Sequence, residues 1–247
     1  MNFFSLFKRK LIYKLKKKIF IDRDKIKLNS LDELFHYYGS DKANIFLKKN
    51  SAGHGFSKFY TKHLQNFKNK KINILEIGSF AGASAAALNK YFPESKIFCF
   101  DINISNFKYH SDRIYVFGLD ITNKKNVSKT LEKIFNKFKF NKFDLIIDDG
   151  SHNLSDILIS LNIFFKLLKN NGIYVIEDFK FPNYFDYNRN TDDILVDQLL
   201  EKLKNKEHFQ SKYFSNDEQS FLMNSISDIS TYKGNLPESD ICFIKKN

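Results

Sequence analysis

From residue 72 onward the chain alternates short β-rich runs with helix-period segments, and that alternation leaves few folds open. The expected strands are Ile72–Ile77, Lys96–Asp101, Ile114–Leu119, Asp144–Asp148 and Gly172–Ile176. Helical patterns fall between them, over Ala83–Phe92, Lys124–Phe138 and Leu154–Lys169. Strands joined through helices return in the same direction, so a parallel sheet covered on both faces is expected. In the third helix Leu154, Ile157, Leu158, Leu161, Phe164, Phe165 and Leu168 recur at three and four residues, which reads as core packing. Past the fifth strand come a loop rich in Tyr, Asn and Asp (Phe179–Asp193), a helix (Ile194–Leu203), and two β-type runs, Ile226–Tyr232 and Asp240–Lys245. A short Gly-Asn-Leu-Pro segment joins those runs into a hairpin. The expected class is therefore α/β: a doubly wound, Rossmann-like seven-stranded sheet ending in an antiparallel hairpin, preceded by an N-terminal helical extension. Pattern alone does not separate the several families that share this architecture.

A chain of 247 residues suffices for one such domain, taken as 31–247, behind an extension of 1–30. The net charge of +12 is unevenly spread. Residues 1–30 hold ten Lys and Arg against Asp22 and Asp24, a net of +8, which leaves +4 for the rest. Phe3, Phe4, Phe7, Leu11, Leu15 and Ile19 recur at helical spacing beside those lysines. Such a helix could lie on an anionic membrane surface through residues 1–20, or pack on its own domain with a solvated lysine face. A nucleic-acid partner is not expected, because the stripe is apolar and the charge elsewhere is modest. Neither a run of about 20 apolar residues nor a secretory pattern is present, so the expected location is cytoplasmic, with a peripheral contact at the inner face of the membrane as the extension's alternative. With Cys99 and Cys242 alone, a disulfide framework or cysteine zinc site is excluded.

The first strand runs into Glu76-Ile77-Gly78-Ser79-Phe80-Ala81-Gly82. Gly78 suits a sharp turn and Gly82 a close helix approach, which turns backbone N–H groups toward a ligand at the strand's carboxyl end. The G-x-G-x-x-G spacing of a pyrophosphate site is absent, and Phe80 stands where a middle glycine would. Acidic Glu76 fits an amine-bearing ligand better than a phosphate. Asp101, 19 residues after Gly82, ends the second strand where a carboxylate can accept ribose hydroxyls, and Asp120 follows the third strand near an adenine position. Each acid alone could be a cap or turn residue. Together with the turn they point to an adenosyl ligand.

The fourth strand ends in Asp148-Asp149-Gly150-Ser151-His152 and the fifth in Glu177-Asp178. Neighbouring strands would bring Asp149, Glu177 and Asp178 together beside the adenosyl pocket, where three carboxylates repel unless a cation or a shared proton neutralises them. An all-oxygen set suits Mg²⁺ or Mn²⁺ (or Ca²⁺) rather than zinc. His152 is the candidate general base, an imidazole able to take a proton near neutral pH. Its plain alternative is a capping residue.

These residues resemble the metal-dependent sugar O-methyltransferases, of the kind that act on macrolide sugars such as those of the mycinamicin pathway. The likeness covers residues 34 to 180: Gly39-Ser40-Asp41-Lys42, His54-Gly55-Phe56-Ser57-Lys58-Phe59-Tyr60, Leu75-Glu76-Ile77-Gly78, Tyr91-Phe92-Pro93, Asp101-Ile102, Asp149-Gly150-Ser151-His152 and Ile176-Glu177-Asp178. The resemblance implies S-adenosylmethionine as cofactor, bound by Glu76 and Asp101; the turn and the other strand ends add Gly78, Gly82, Asp120 and Asp148 as its expected neighbours. It further implies a divalent metal on Asp149, Glu177 and Asp178, with His152 and Asp149 catalytic. Asp41, Lys42 and His54 would fold over the pocket or form a charged turn. Tyr184, Phe185 and Tyr187 would offer a sugar platform or pack as loop. The implied reaction is methyl transfer to a sugar hydroxyl of a polysaccharide or other glycoconjugate precursor. A catechol-like or phosphate-type oxygen is the alternative acceptor, and a basic nucleic-acid-binding protein is the competing class.

Overall fold

A computed structural model describes residues 3–46 and 51–247; for Phe3 and Phe4, both named in the N-terminal stripe, the side chains lie outside what is described. Seven strands form one sheet: β1 (Asn73–Ile77), β2 (Lys96–Asp101), β3 (Ile114–Gly118), β4 (Phe143–Asp148), β5 (Leu168–Glu177), β6 (Ile226–Lys233) and β7 (Asp240–Lys246). Their order is β6-β7-β5-β4-β1-β2-β3. The pairs from β5 through β3 are parallel. β7 is antiparallel to both β5 and β6. The expected sheet and closing hairpin are present. The order reverses beside β1, which opens a crevice at the carboxyl ends of β1, β2 and β4.

Alternate residues of each parallel strand feed two cores. Leu75, Phe98, Phe100, Ile146 and Tyr174 pack against α5 (Lys124–Phe138), α6 (Leu154–Phe164), α7 (Val196–Asn205) and α8 (Asn216–Ser225). On the other face Ile74, Cys99, Leu145, Ile147 and Val175 pack against α2 (Leu31–Tyr38), α3 (Ser57–Leu64) and α4 (Ala83–Tyr91). Both cysteines are free and buried.

Beyond shifts of a residue at strand and helix ends, the structure departs from expectation as follows. The run read as one helix to Lys169 stops at Phe164, turns through Phe165–Leu167, and gives Leu168 to β5 opposite Phe143. An apolar run carries no mark of where helix ends and buried strand begins, so periodicity ran through the join. The helix expected over Ile194–Leu203 lies two residues later. α2, α3 and α8 were not expected, although α2 and α8 each open on a capping box, Ser30 with Glu33 and Ser215 with Glu218.

The N-terminal helix α1 (Phe3–Leu15) docks on the domain. Arg9 Nη1 donates to the Ile102 carbonyl at 2.9 Å, Lys16 Nζ to those of Ser105 and Asn106, and Tyr13 meets Phe107 edge-on. Among the described residues, no helix is long and apolar enough to cross a membrane.

Candidate active site

A cavity of about 410 Å³ opens at the crevice, bordered by Gly78, Phe80, Asp101, Leu119, Asp120 and His152. That volume lies in the range of small-ligand sites, roughly 300–1,000 Å³. Of the glycine turn, Gly78 and Phe80 line the cavity, whereas Gly82 stands at the start of α4. Gly78 has φ +84°, and a Cβ there would lie 1.8 Å from the Asp149 carbonyl oxygen; Gly82, at φ +78°, would meet the Phe107 ring at 2.5 Å. Gly82→Ala should lower stability by about 1–2 kcal/mol in urea denaturation, through left-handed backbone and a displaced ring. A wild-type midpoint would show that Phe107 yields freely. Phe80, in the position of the missing glycine, takes φ +40° and is exposed.

Asp101 borders the cavity and its Oδ2 accepts from the Phe80 N–H at 2.7 Å, which ties the turn to the end of β2. Asp120 also borders the cavity, but its Oδ1 accepts from both the Thr122 N–H and hydroxyl, so part of its role is the turn anticipated as its plain reading. Asp148 lies at the cavity base on the Tyr174 side. Burial, above all, pushes its carboxyl up to about 7. Glu76 instead faces a smaller recess of about 100 Å³ shared with Gly78, Ser79 and Lys42. It is fully buried and both carboxylate oxygens lack a hydrogen-bond partner among the described residues. Burial raises its carboxyl, against the pull of Lys42. An unpartnered buried carboxylate is costly, and a cationic amine would satisfy it.

At the ends of β4 and β5 the acids meet a cation already. Lys42 Nζ donates to Asp149 Oδ2 and, at 2.6 Å, to Glu177 Oε2, while the Tyr60 hydroxyl donates to Glu177 Oε1. The expected trio gathers around Asp149, but not as one donor set: Glu177 shares Lys42 with Asp149 and also takes Tyr60, while among the described residues the group whose ligand atoms lie within 4.8 Å of one another is Asp149, Asp178 and His152. Asp178 Oδ1 is buried without a hydrogen-bond partner among the described residues. The nearby His54 Nδ1, 3.5 Å off, bonds the Ser239 hydroxyl at 2.7 Å. One ammonium cannot neutralise this many carboxylates, and protons make up the difference. Burial, then Asp149 and Glu177, push Asp178 up to about 9; burial also raises Glu177, with Lys42 opposing. Lys42 keeps its charge, since Asp149 and Glu177 outweigh its burial. Ammonium between two acids, an orphaned carboxylate oxygen and an oxygen-rich donor set fit a hard divalent cation.

His152 lies 3.7 Å from Asp149 Oδ1 through Nε2, with its ring against Phe181. Burial holds its pKa below the ordinary histidine value despite Asp149, so the imidazole is neutral at pH 7. His152 and Asp178 both adopt positive φ, 56° and 50°. Strain at non-glycine residues concentrates at functional sites.

Of the segment expected to fold over the pocket or form a charged turn, Asp41 borders the cavity, Lys42 reaches Asp149 and Glu177, and His54 lies beside Asp178. Tyr60 was quoted in a motif but given no role. In the aromatic loop, Tyr184 is engaged by Asp240 and Lys233, whereas Tyr187 stacks on Phe185 and stays exposed.

A family profile described as a methyltransferase domain matches residues 68–235. The chain is 30% identical over 143 residues to the mycinamicin VI 2''-O-methyltransferase of Micromonospora griseorubida, covering 55% of this chain and 34% of that one. It is 30% identical over 165 residues to the L-olivosyl-oleandolide 3-O-methyltransferase of Streptomyces antibioticus, covering 63% and 38%. The chain thus spans little more than a third of the length of these curated relatives. A solved structure, the MycE methyltransferase with Mg, SAH and mycinamycin VI, superposes with a TM-score of 0.65 at 21% identity, over 89% of this chain and 55% of that one. At that identity the likeness speaks for the fold.

Proposed function

This chain belongs to the methyltransferase-domain family, and from that membership we propose that it moves the methyl group of S-adenosylmethionine onto a sugar hydroxyl. The observation that carries the reading is the adjacency of an adenosyl-sized cavity on Asp101, a small recess on Glu76 that shares Gly78 with it, and an acidic cluster at the next strand ends. In this reading Asp101 accepts the ribose hydroxyls and Glu76 receives the amino group. Leu119 and Asp120 border the adenine, while Gly78 and Gly82 let the backbone approach. The relatives' names support a sugar acceptor, and they point to glycosylated natural products rather than to the polysaccharide expected above.

Asp149 and Asp178 would hold a divalent cation, Mg²⁺ or Mn²⁺, with Glu177 joining them once Lys42 yields it. Bound there, the cation would neutralise the cluster and make an acceptor hydroxyl more acidic. His152 takes the hydroxyl proton as the oxygen–methyl bond forms and the sulfur–methyl bond breaks. It serves as base rather than ligand, because a hard cation prefers the carboxylate oxygens. Phe181 packs the imidazole from one side and Asp149 from another, so the ring is held toward the cavity it borders.

Calorimetric titration of S-adenosylmethionine, with Mg²⁺ and with chelator, tests the cofactor half. Asp101→Ala should weaken binding at least about tenfold, as expected for a lost charge-assisted hydrogen bond. Absence of binding by the unaltered chain in both conditions would remove the reading. An acceptor series then tests the other half. Transfer to catechol but to no sugar diol would discard the sugar.

A further inference from the structure

We propose that α1 is a membrane-docking element that seats the protein on an anionic lipid surface. The helix presents two opposed faces. At about 100° per residue, Arg9, Tyr13 and Lys16 point one way, and these are the side chains that hold the helix to the domain. Phe7, Leu11 and Leu15 fall within an arc of about 80° on the far side. They are 61%, 48% and 78% exposed, and Ile12 beyond the edge of that arc is 42% exposed. Docking therefore consumes the polar face and turns the apolar stripe to solvent. A helix that only packed on its own domain would bury that stripe.

Charge selects the occupant. Residues 1–20 contain seven Lys or Arg and no Asp or Glu. Lys8, Lys10 and Lys14 flank the stripe and are exposed. A second copy would bring the same positive field against this one, whereas lipid headgroups supply anions and the acyl boundary accepts the apolar side chains. Nucleic acid would satisfy the lysines but leave Phe7, Leu11 and Leu15 in water. The inference does not depend on the reaction proposed above.

Flotation of the full chain with vesicles tests it. Phosphatidylcholine vesicles containing about 25% phosphatidylglycerol should carry the protein upward at low salt, and about 0.5 M salt should weaken the association. The double variant Leu11→Glu/Leu15→Glu should lose at least about tenfold in partitioning, with its thermal midpoint and S-adenosylmethionine affinity unchanged, since both side chains already face solvent. Lys14→Glu should weaken binding to anionic vesicles and leave the small binding to neutral ones as it was. The proposal is overturned if the unaltered chain stays unbound on anionic vesicles at low salt, or binds neutral ones equally well. It also falls if RNA is bound and the double variant keeps that binding without vesicle association. A dimer that Leu15→Glu dissolves, again without vesicle association, would assign the stripe to self-association instead.

Discussion

His152→Ala is expected to lower the methyl-transfer rate constant by a factor of about 10²–10⁴, the usual range for loss of a positioned general base. S-adenosylmethionine affinity should change little, because Asp101 and Glu76 are the groups proposed to hold the cofactor, whereas the His152 imidazole meets Asp149 and Phe181. The size of the effect follows from geometry. The neutral ring has Nε2 3.7 Å from the Asp149 carboxylate, so an imidazolium formed during transfer is stabilised where it forms. Added imidazole should restore part of the rate in the variant, which a purely structural histidine would not allow. Rate constants within threefold of the unaltered chain, at about saturating acceptor, would remove His152 from the chemistry.

Lys42→Met should destabilise the chain by about 3–5 kcal/mol in chelator, measured by urea unfolding, because it leaves buried Glu177 and Asp149 without their cation. Methionine keeps the stem's volume, so the loss reports charge more than packing. Divalent cation should then return part of it, about 2.7 kcal/mol at a hundredfold excess over Kd. The same variant should bind the cation more tightly than the unaltered chain, since no ammonium competes for Asp149 and Glu177. Equal unfolding curves in chelator would mean that protons, rather than Lys42, neutralise the cluster.

Much of the site was legible because it follows from where strands stop. Glu76, Asp101, Asp149 and Glu177-Asp178 each stand at a carboxyl end, and a doubly wound sheet collects those ends in one crevice. The glycine turn was legible for a similar reason: positive φ at Gly78 and Gly82 is a local demand of the backbone. Capping boxes at Ser30 and Ser215 carried the signal for two helices that went unread. Leu168 had no such signal. Its neighbours are apolar in both of the structures it could join, and only pairing with Phe143 assigns it to the sheet.

The amino-acid order by itself determined the element types, the direction of the strands and the end of the sheet at which acids gather. Period, turn chemistry and crossover length are properties of neighbouring residues, and they need no distant partner. Tertiary structure alone decided how the acids divide. β5 ends at Glu177 and the backbone turns to φ +50° at Asp178, so the two adjacent acids meet different surroundings. Glu177 finds Lys42 and Tyr60, more than a hundred residues earlier in the chain, and Asp178 is left beside Asp149 and His152. The same division governs α1, whose spacing showed one apolar stripe but not which side the domain would take. Arg9, Tyr13 and Lys16 found partners on the loop after β2, and the stripe, on the opposite side of the helix, was left to face outward.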